Sequence, residues 1–200
     1  MIIVMRKSLP QNRTAAKEAT HERIVAVAAR AIRRSGYGGT GVADIMKEAG
    51  LTHGAFYAHF ESREAMLVEA ADRAGAEANT VAQSVIAATP SAESLQALIQ
   101  AYLSKEHVAN IEAGCPTSAL ASEMPRQTQE LRRTSTARIK EMIDLVARQM
   151  PDWGEPSAHA RALVTVSTMV GTLILARAVD ESALSDALCS ATLKSLIPAA

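Results

Sequence analysis

Apolar residues recur along most of this chain at helical spacing. Ile24, Val27, Ala28 and Ala31 fall on one face of a helix that Gly36 stops, and Tyr37 is placed to pack beneath the next two helices. Val42, Ile45 and Ala49 give a second helix a short apolar face, with Thr40 as its N-cap and Gly50 to end it in the left-handed conformation. Thr52 caps a third helix, in which Phe56 and Phe60 share the buried side while His53, Gly54, Ala55 and Tyr57 point outward. From Ser62 a helix runs to about Ala88, interrupted only by Gly75 and roughly 40 Å long at the usual helical rise.

Beyond the break at Pro90 and Ser91, the pattern predicts a helix through Leu95, Leu98, Ile99, Tyr102 and Leu103 toward Ala113, ended by Gly114, Cys115 and Pro116. A short helix from Thr117 to Met124 comes next. Pro125 suits the first turn of its successor, whose buried side carries Leu131, Ile139, Met142, Ile143 and Val146. A loop from Pro151 to Ser157 precedes two last helices, about Ala158 to Val179 and Leu184 to Leu196. No run alternates Val, Ile and Thr with polar residues, so the predicted class is all-α.

The two short helices around Gly50, the second polar on its outer side, have helix-turn-helix geometry. The run from Ile24 to Leu67 carries Ala28-Ala29, Gly36-Tyr37, Thr40, Asp44-Ile45, Ala49-Gly50 and the segment Gly54-Ala-Phe-Tyr-Ala-His-Phe-Glu-Ser-Arg-Glu-Ala-Met-Leu67. It closely resembles the DNA-binding head of the TetR family of bacterial transcriptional regulators, over about a quarter of the chain. The resemblance implies a three-helix head at residues 1 to 63 and a roughly six-helix body at 64 to 200. The body would bind a small-molecule effector and form a homodimer on operator DNA, most often as a repressor. Position by position, it implies that His53, Gly54 and Ala55 face bases, that Tyr57 and His59 contact the DNA backbone, and that Thr40 and Thr52 contact phosphate. Arg63 stands where relatives usually have Lys and keeps the charge.

In relatives the last two helices pair across the dimer. Here Val166, Val170, Ile174 and Ala178 form an apolar stripe beside the small residues Ser167, Gly171 and Thr172, which suits either a subunit interface or an ordinary core helix. Tyr102, His107, Ser118 and Glu123 are candidate polar groups of an effector pocket. With so few aromatics in the body, a mainly aliphatic or small polar effector is expected. Cys115, at a helix junction, is a candidate thiol sensor of electrophiles or oxidants, against the alternative of a small buried hydrophobe.

Charge sharpens this picture. The net charge is zero, yet residues 1 to 63 carry ten Lys or Arg against five Asp or Glu, and the remainder eleven against sixteen. A positive head on a negative body orients an encounter with a polyanion. Arg6, Lys7, Arg13 and Lys17 form a loose basic arm over residues 1 to 19, which either reaches DNA or stays a solvated tail. No catalytic motif is present: no G-x-S-x-G turn, no glycine-rich phosphate loop, no H-E-x-x-H. No cofactor or metal is expected. Cys115 and Cys189 show neither metal-ligand spacing nor a disulfide framework, which suits the cytoplasm. The most apolar stretch, Leu163 to Ala176, is short for a membrane span, includes Ser and Thr, and is followed by Arg177; the N-terminal apolar run is too short for a secretory signal. The rival from another class is a helical binding or adaptor protein without DNA activity.

Overall fold

The computed structural model describes residues 10 to 197, and among these all regular structure is helical. The head comprises α1 (Pro10–Ser35), α2 (Val42–Glu48) and a 3-10 turn, His53–Ala58. The long α3 (Arg63–Ala87) leads into α4 (Ser94–Tyr102), α5 (Lys105–Ala109), α6 (Pro116–Leu120), α7 (Gln129–Ala147), α8 (Pro156–Ala178) and α9 (Ser182–Leu196). In the body α3 packs on α7, α7 on α8 and α8 on α9.

Several boundaries differ from the sequence expectation, each for a local reason. Because α1 begins at Pro10, Arg13 and Lys17 belong to a helix and not to a flexible arm; Arg6 and Lys7 lie outside the described residues. Gly41, not Thr40, is the N-cap of α2. Thr40 turns inward, 3% exposed, and its hydroxyl donates to the Gly36 carbonyl at 2.6 Å. The helix expected from Leu95 to Ala113 breaks at Leu103 and Ser104, where the Ser104 hydroxyl accepts from the His107 N–H at 3.2 Å and starts α5 afresh. Pro125 sits in a separate 3-10 turn, Met124–Arg126, and α7 starts later under a Thr128 cap. Ser62, where the sequence starts the long helix, is the N-cap of α3 and accepts from the Ala65 N–H at 3.0 Å.

One core joins head and body. Ile24, Val27, Ala28, Ala31 and Ile32 of α1 pack with Ile45, Met46, Phe56 and Phe60, and also with Met66, Leu67, Ala70, Ala71 and Ala74 of α3 and Leu120 and Leu131 of the body. A division after Arg63 falls where α3 starts, but the head's core runs three turns further. Two further clusters fill the body, one around Leu98, Val146 and Ala162, the other around Ile99, Met169 and Cys189.

Val166 belongs to the first of these body clusters at 5% exposure, so it is a core residue and not part of an outer stripe. Val170 also leans on that core, and Thr172 is buried, its hydroxyl 2.8 Å from that of Thr192 in α9. The exposed apolar side of α8 carries Leu163, Val164, Ile174 and Leu175 instead, with open space beside Gly171. At 23 residues α8 is long and apolar enough to cross a bilayer by length and composition, a property shared by core helices. Here its other side is buried against the neighbouring helices.

Head and body also meet at Gly36, whose φ of 71° ends α1 in the left-handed region. The Glu123 carboxylate lies where a Cβ of residue 36 would sit, and accepts from the Tyr37 N–H at 3.0 Å. Burial pushes the Tyr37 phenol up to about 12, with Glu123 adding to the shift. Gly36→Ala therefore meets both a φ penalty and a clash, and is expected to lower unfolding free energy by about 2 to 3 kcal/mol in urea titration. Because Glu123→Ala removes the Tyr37 N–H bond as well as the clash, Gly36→Ala is also measured in a Glu123→Ala background, where it should cost only about 1 kcal/mol of backbone strain. An equal cost of Gly36→Ala in the two backgrounds would show that the clash is absent.

Candidate functional site

The outer face of the head is built on an aromatic column. Phe56 and Phe60 stack at 5.4 Å, His21 of α1 stacks on Phe60 at 4.5 Å, and His21 reaches the Glu69 carboxylate of α3 at 2.6 Å. The column pins the His53–Ala58 turn from behind and ties it to two helices. The front is open: Thr52, His53, Gly54, Tyr57 and Ala58 are exposed, and Ala55 is half-buried. Tyr57 is 71% exposed, its ring edge-on to Phe56 at 5.3 Å and to His53 at 6.2 Å. Thr52 flanks the turn without a side-chain cap bond. An exposed imidazole, an exposed phenol and a free hydroxyl on one short edge supply donors and acceptors to a polar groove.

Three other candidates are placed differently. His59 is half-buried and its Nδ1 is sealed from solvent without a partner; burial lowers its pKa, and His21 and Lys17 lower it further, so the ring is neutral at pH 7. Thr40 is buried with its hydroxyl on the Gly36 carbonyl, which withdraws it from any phosphate. Arg63 is half-buried at the start of α3. Its Nε and Nη2 donate to the Thr40 carbonyl at 3.2 and 3.0 Å, and Nη2 donates also to the Tyr37 carbonyl. Its guanidinium thus latches the Tyr37–Thr40 turn, and only Nη1 is left for a second task.

A second site lies in the body, a cavity of about 350 Å³ bounded by α3, α4, α7, α8 and the segment from Ser104 to Cys115. Tyr102, His107 and Cys115 line it; Ser118 sits behind the wall and Glu123 is away from it, at the head–body joint. Most of the lining is aliphatic, including Val81, Ala82, Leu98, Met142, Val146 and Met169. The His107 ring is held in one tautomer: Nδ1–H donates to the Tyr102 carbonyl at 2.7 Å, and Nε2 accepts from the Cys115 N–H at 2.9 Å. Burial, with Arg177 adding to it, lowers the His107 pKa, in keeping with a neutral ring.

Arg177, which the sequence shows only as the charge that follows the apolar stretch of α8, has a structural role that no motif announces. It lies beneath the wall, donating to the Val108 carbonyl at 3.1 Å and the Ser118 hydroxyl at 2.9 Å. Burial lowers its pKa.

The wall of the cavity is fastened to the head. Arg33 of α1, 3% exposed, pairs with Glu77 at 2.7 Å and approaches the Gly114 carbonyl at 3.5 Å. Arg34 pairs with Glu112 at 3.0 Å. The segment that carries His107 and Cys115 on its cavity side therefore grips the end of α1 on the other.

Comparison with known proteins agrees with this geometry. Residues 24–70 match the family model for bacterial regulatory proteins of the tetR family, and residues 91–187 match the C-terminal domain of LmrA/YxaF-like transcriptional regulators. An uncharacterized HTH-type transcriptional regulator of Mycobacterium tuberculosis is 33% identical over 164 residues, covering 78% of this chain and 83% of its own length. The HTH-type transcriptional regulator LmrA of Bacillus subtilis is 27% identical over 149 residues, covering 74% and 79%. Among solved structures, a TetR transcriptional regulator from Chloroflexus aurantiacus superposes with a TM-score of 0.77 at 25% identity, over 92% of this chain and 97% of that one. The reduced form of E. coli NemR shares the fold at the same TM-score of 0.77 and 19% identity, over 90% and 95%.

The neutral His107 bridge has a pH signature. Its folded-state pKa lies below the ordinary 6.5, so on acidification the unfolded chain takes up the proton first. Stability is complete above about pH 6.5 and is lost as pH falls toward the folded-state value. His107→Gln should cost about 1 to 2 kcal/mol at pH 7.5, and the gap to wild type should narrow by pH 5.5, read from urea midpoints. A gap independent of pH would mean that the ring does not titrate in this way.

Proposed function

The chain belongs to the TetR family of bacterial transcriptional regulators, a DNA-binding family, and on that premise we propose that it is a repressor released from a near-palindromic operator by a small effector. The observation that carries the reading is the exposed edge of His53, Gly54 and Tyr57 on a turn braced from behind by Phe56 and Phe60. A braced edge presents its groups in a fixed register, which groove recognition requires. In this reading His53, Gly54 and Ala55 meet base edges, Tyr57 and Thr52 meet the backbone, and Arg63 chiefly holds the preceding turn, with His59 a lesser contributor. One short turn reads few base pairs, so two copies related by a dyad supply the specificity.

The exposed apolar side of α8 supports a homodimer through the last two helices, because Leu163, Val164, Ile174 and Leu175 lie on one helix next to an open Gly171. The body cavity supports an effector, since it shares its wall with the segment that grips α1. Filling the cavity would displace that segment and, through α1 and α3, re-aim the two reading turns. Coupling of this kind amounts typically to about 1 to 3 kcal/mol and is reciprocal between effector and DNA.

The test is anisotropy binding of the full-length protein to its own upstream intergenic duplex across a salt series. Tyr57→Phe is expected to weaken all sequences by about tenfold, whereas His53→Ala changes sequence preference more than affinity. Ile174→Asp should give monomers by sedimentation, with helical content kept and operator affinity lost, because a buried unpaired charge is strongly unfavourable. Absence of salt-dependent duplex binding by the wild type would favour the adaptor reading, and a dimeric Ile174→Asp would move the interface elsewhere.

A further inference from the structure

The polar groups of the cavity wall are few, neutral but for one carboxylate, and partly engaged with one another. The Asn79 amide donates to the Glu141 carboxylate at 3.0 Å, and the Ser104 hydroxyl accepts from the His107 N–H. Both ring nitrogens of His107 are occupied, and the Asn110 side-chain oxygen accepts from the Ala113 N–H at 3.1 Å. The Tyr102 hydroxyl, beside Cys115 and Ser118, is sealed from solvent and has no hydrogen-bond partner. Among the described residues no lysine or arginine lines the cavity; Arg177 lies behind the wall with its donors directed at carbonyls and Ser118. The one charged group among the described lining residues is Glu106, an exposed carboxylate.

Resting on the reading of this cavity as the effector site, we infer that its ligand is an uncharged, predominantly apolar small molecule, and that anions are excluded. A buried anion would find no counter-charge, only neutral donors such as the Ser104 and Tyr102 hydroxyls, while losing its hydration. It would also face the Glu106 carboxylate. A cation gains little from Glu106, because an ion pair at an exposed rim is screened by water and salt. The volume of about 350 Å³ is at the small end for ligand sites, so the occupant is compact.

Three nine-carbon probes separate the alternatives by calorimetry on the full-length protein at pH 8: 2-nonanone, nonanoate and nonylammonium. The ketone is expected to bind, nonanoate about a hundredfold more weakly or not at all, and nonylammonium at least about tenfold more weakly. Ala82→Trp, which fills the cavity, should abolish ketone binding with helical content kept. Ala101→Trp, introduced from an exposed position on the wall, serves the same purpose if the first variant does not fold. Nonanoate or nonylammonium binding as tightly as the ketone, and lost in the tryptophan variants, would overturn the charge inference and leave the cavity as a binding site. Binding of the ketone undiminished by either tryptophan variant, or no binding of any probe, would overturn the effector-cavity reading itself.

Discussion

The contact between α1 and the first three turns of α3 is the constraint on which the rest of the molecule depends. Two short elements, α2 and the His53–Ala58 turn, cannot bury enough apolar surface by themselves to form a stable unit. They are completed by Met66, Leu67, Ala70, Ala71 and Ala74, which belong to the helix that also forms the body. The His53–Ala58 turn therefore has no independent footing. Its orientation is that of α3, transmitted through Phe56 and Phe60 and through the His21–Glu69 pair.

Around that apolar contact runs a seam of charge-assisted bonds, which gives the joint a preferred geometry. Arg138 of α7 grips Asp72 of α3 through two parallel bonds of 2.9 and 2.7 Å, and Arg33 and Arg73 share Glu77. Glu123 reaches across to Tyr37, and Arg63 holds the same turn from the other side. Each exposed pair contributes little alone, but the bidentate and buried members fix angles that hydrophobic contact leaves free. The turn from Tyr37 to Thr40 is held at both ends by different halves of the protein.

The helical class, the core faces of α1 and α2, the stop at Gly36, the start of the long helix at Ser62 and the outward residues His53, Gly54 and Tyr57 are all legible in the sequence, because each is a local signal. Periodicity and capping act within a turn or two of the residue that carries them. The assignments that shifted depend on partners distant in sequence. Thr40 looks like a cap by position, but a carbonyl four residues back and Arg63 draw it inward. Glu123 has the chemistry of a pocket acid and lies instead at Gly36. Val166 has the right spacing for an outer stripe, yet α8 is apolar nearly all round, and periodicity cannot say which of its sides meets α7. Arg177 is hidden for a related reason: its backbone partners lie in and just after α5, invisible to any motif.

Between the larger Met66 and Leu67 at one end and Asn79 at the other, the buried face of α3 is made of small groups, Ala70, Ala71, Ala74 and Gly75, with the stem of Arg138 lying directly over the glycine. Interlocking side chains hold register because each must change rotamer to pass its neighbour. Methyl groups and a bare backbone have no rotamers to change. Along this stretch the axial register of α3 is therefore marked less by its own side chains than by the ionic grips at Asp72 and Glu77, which act as its detents.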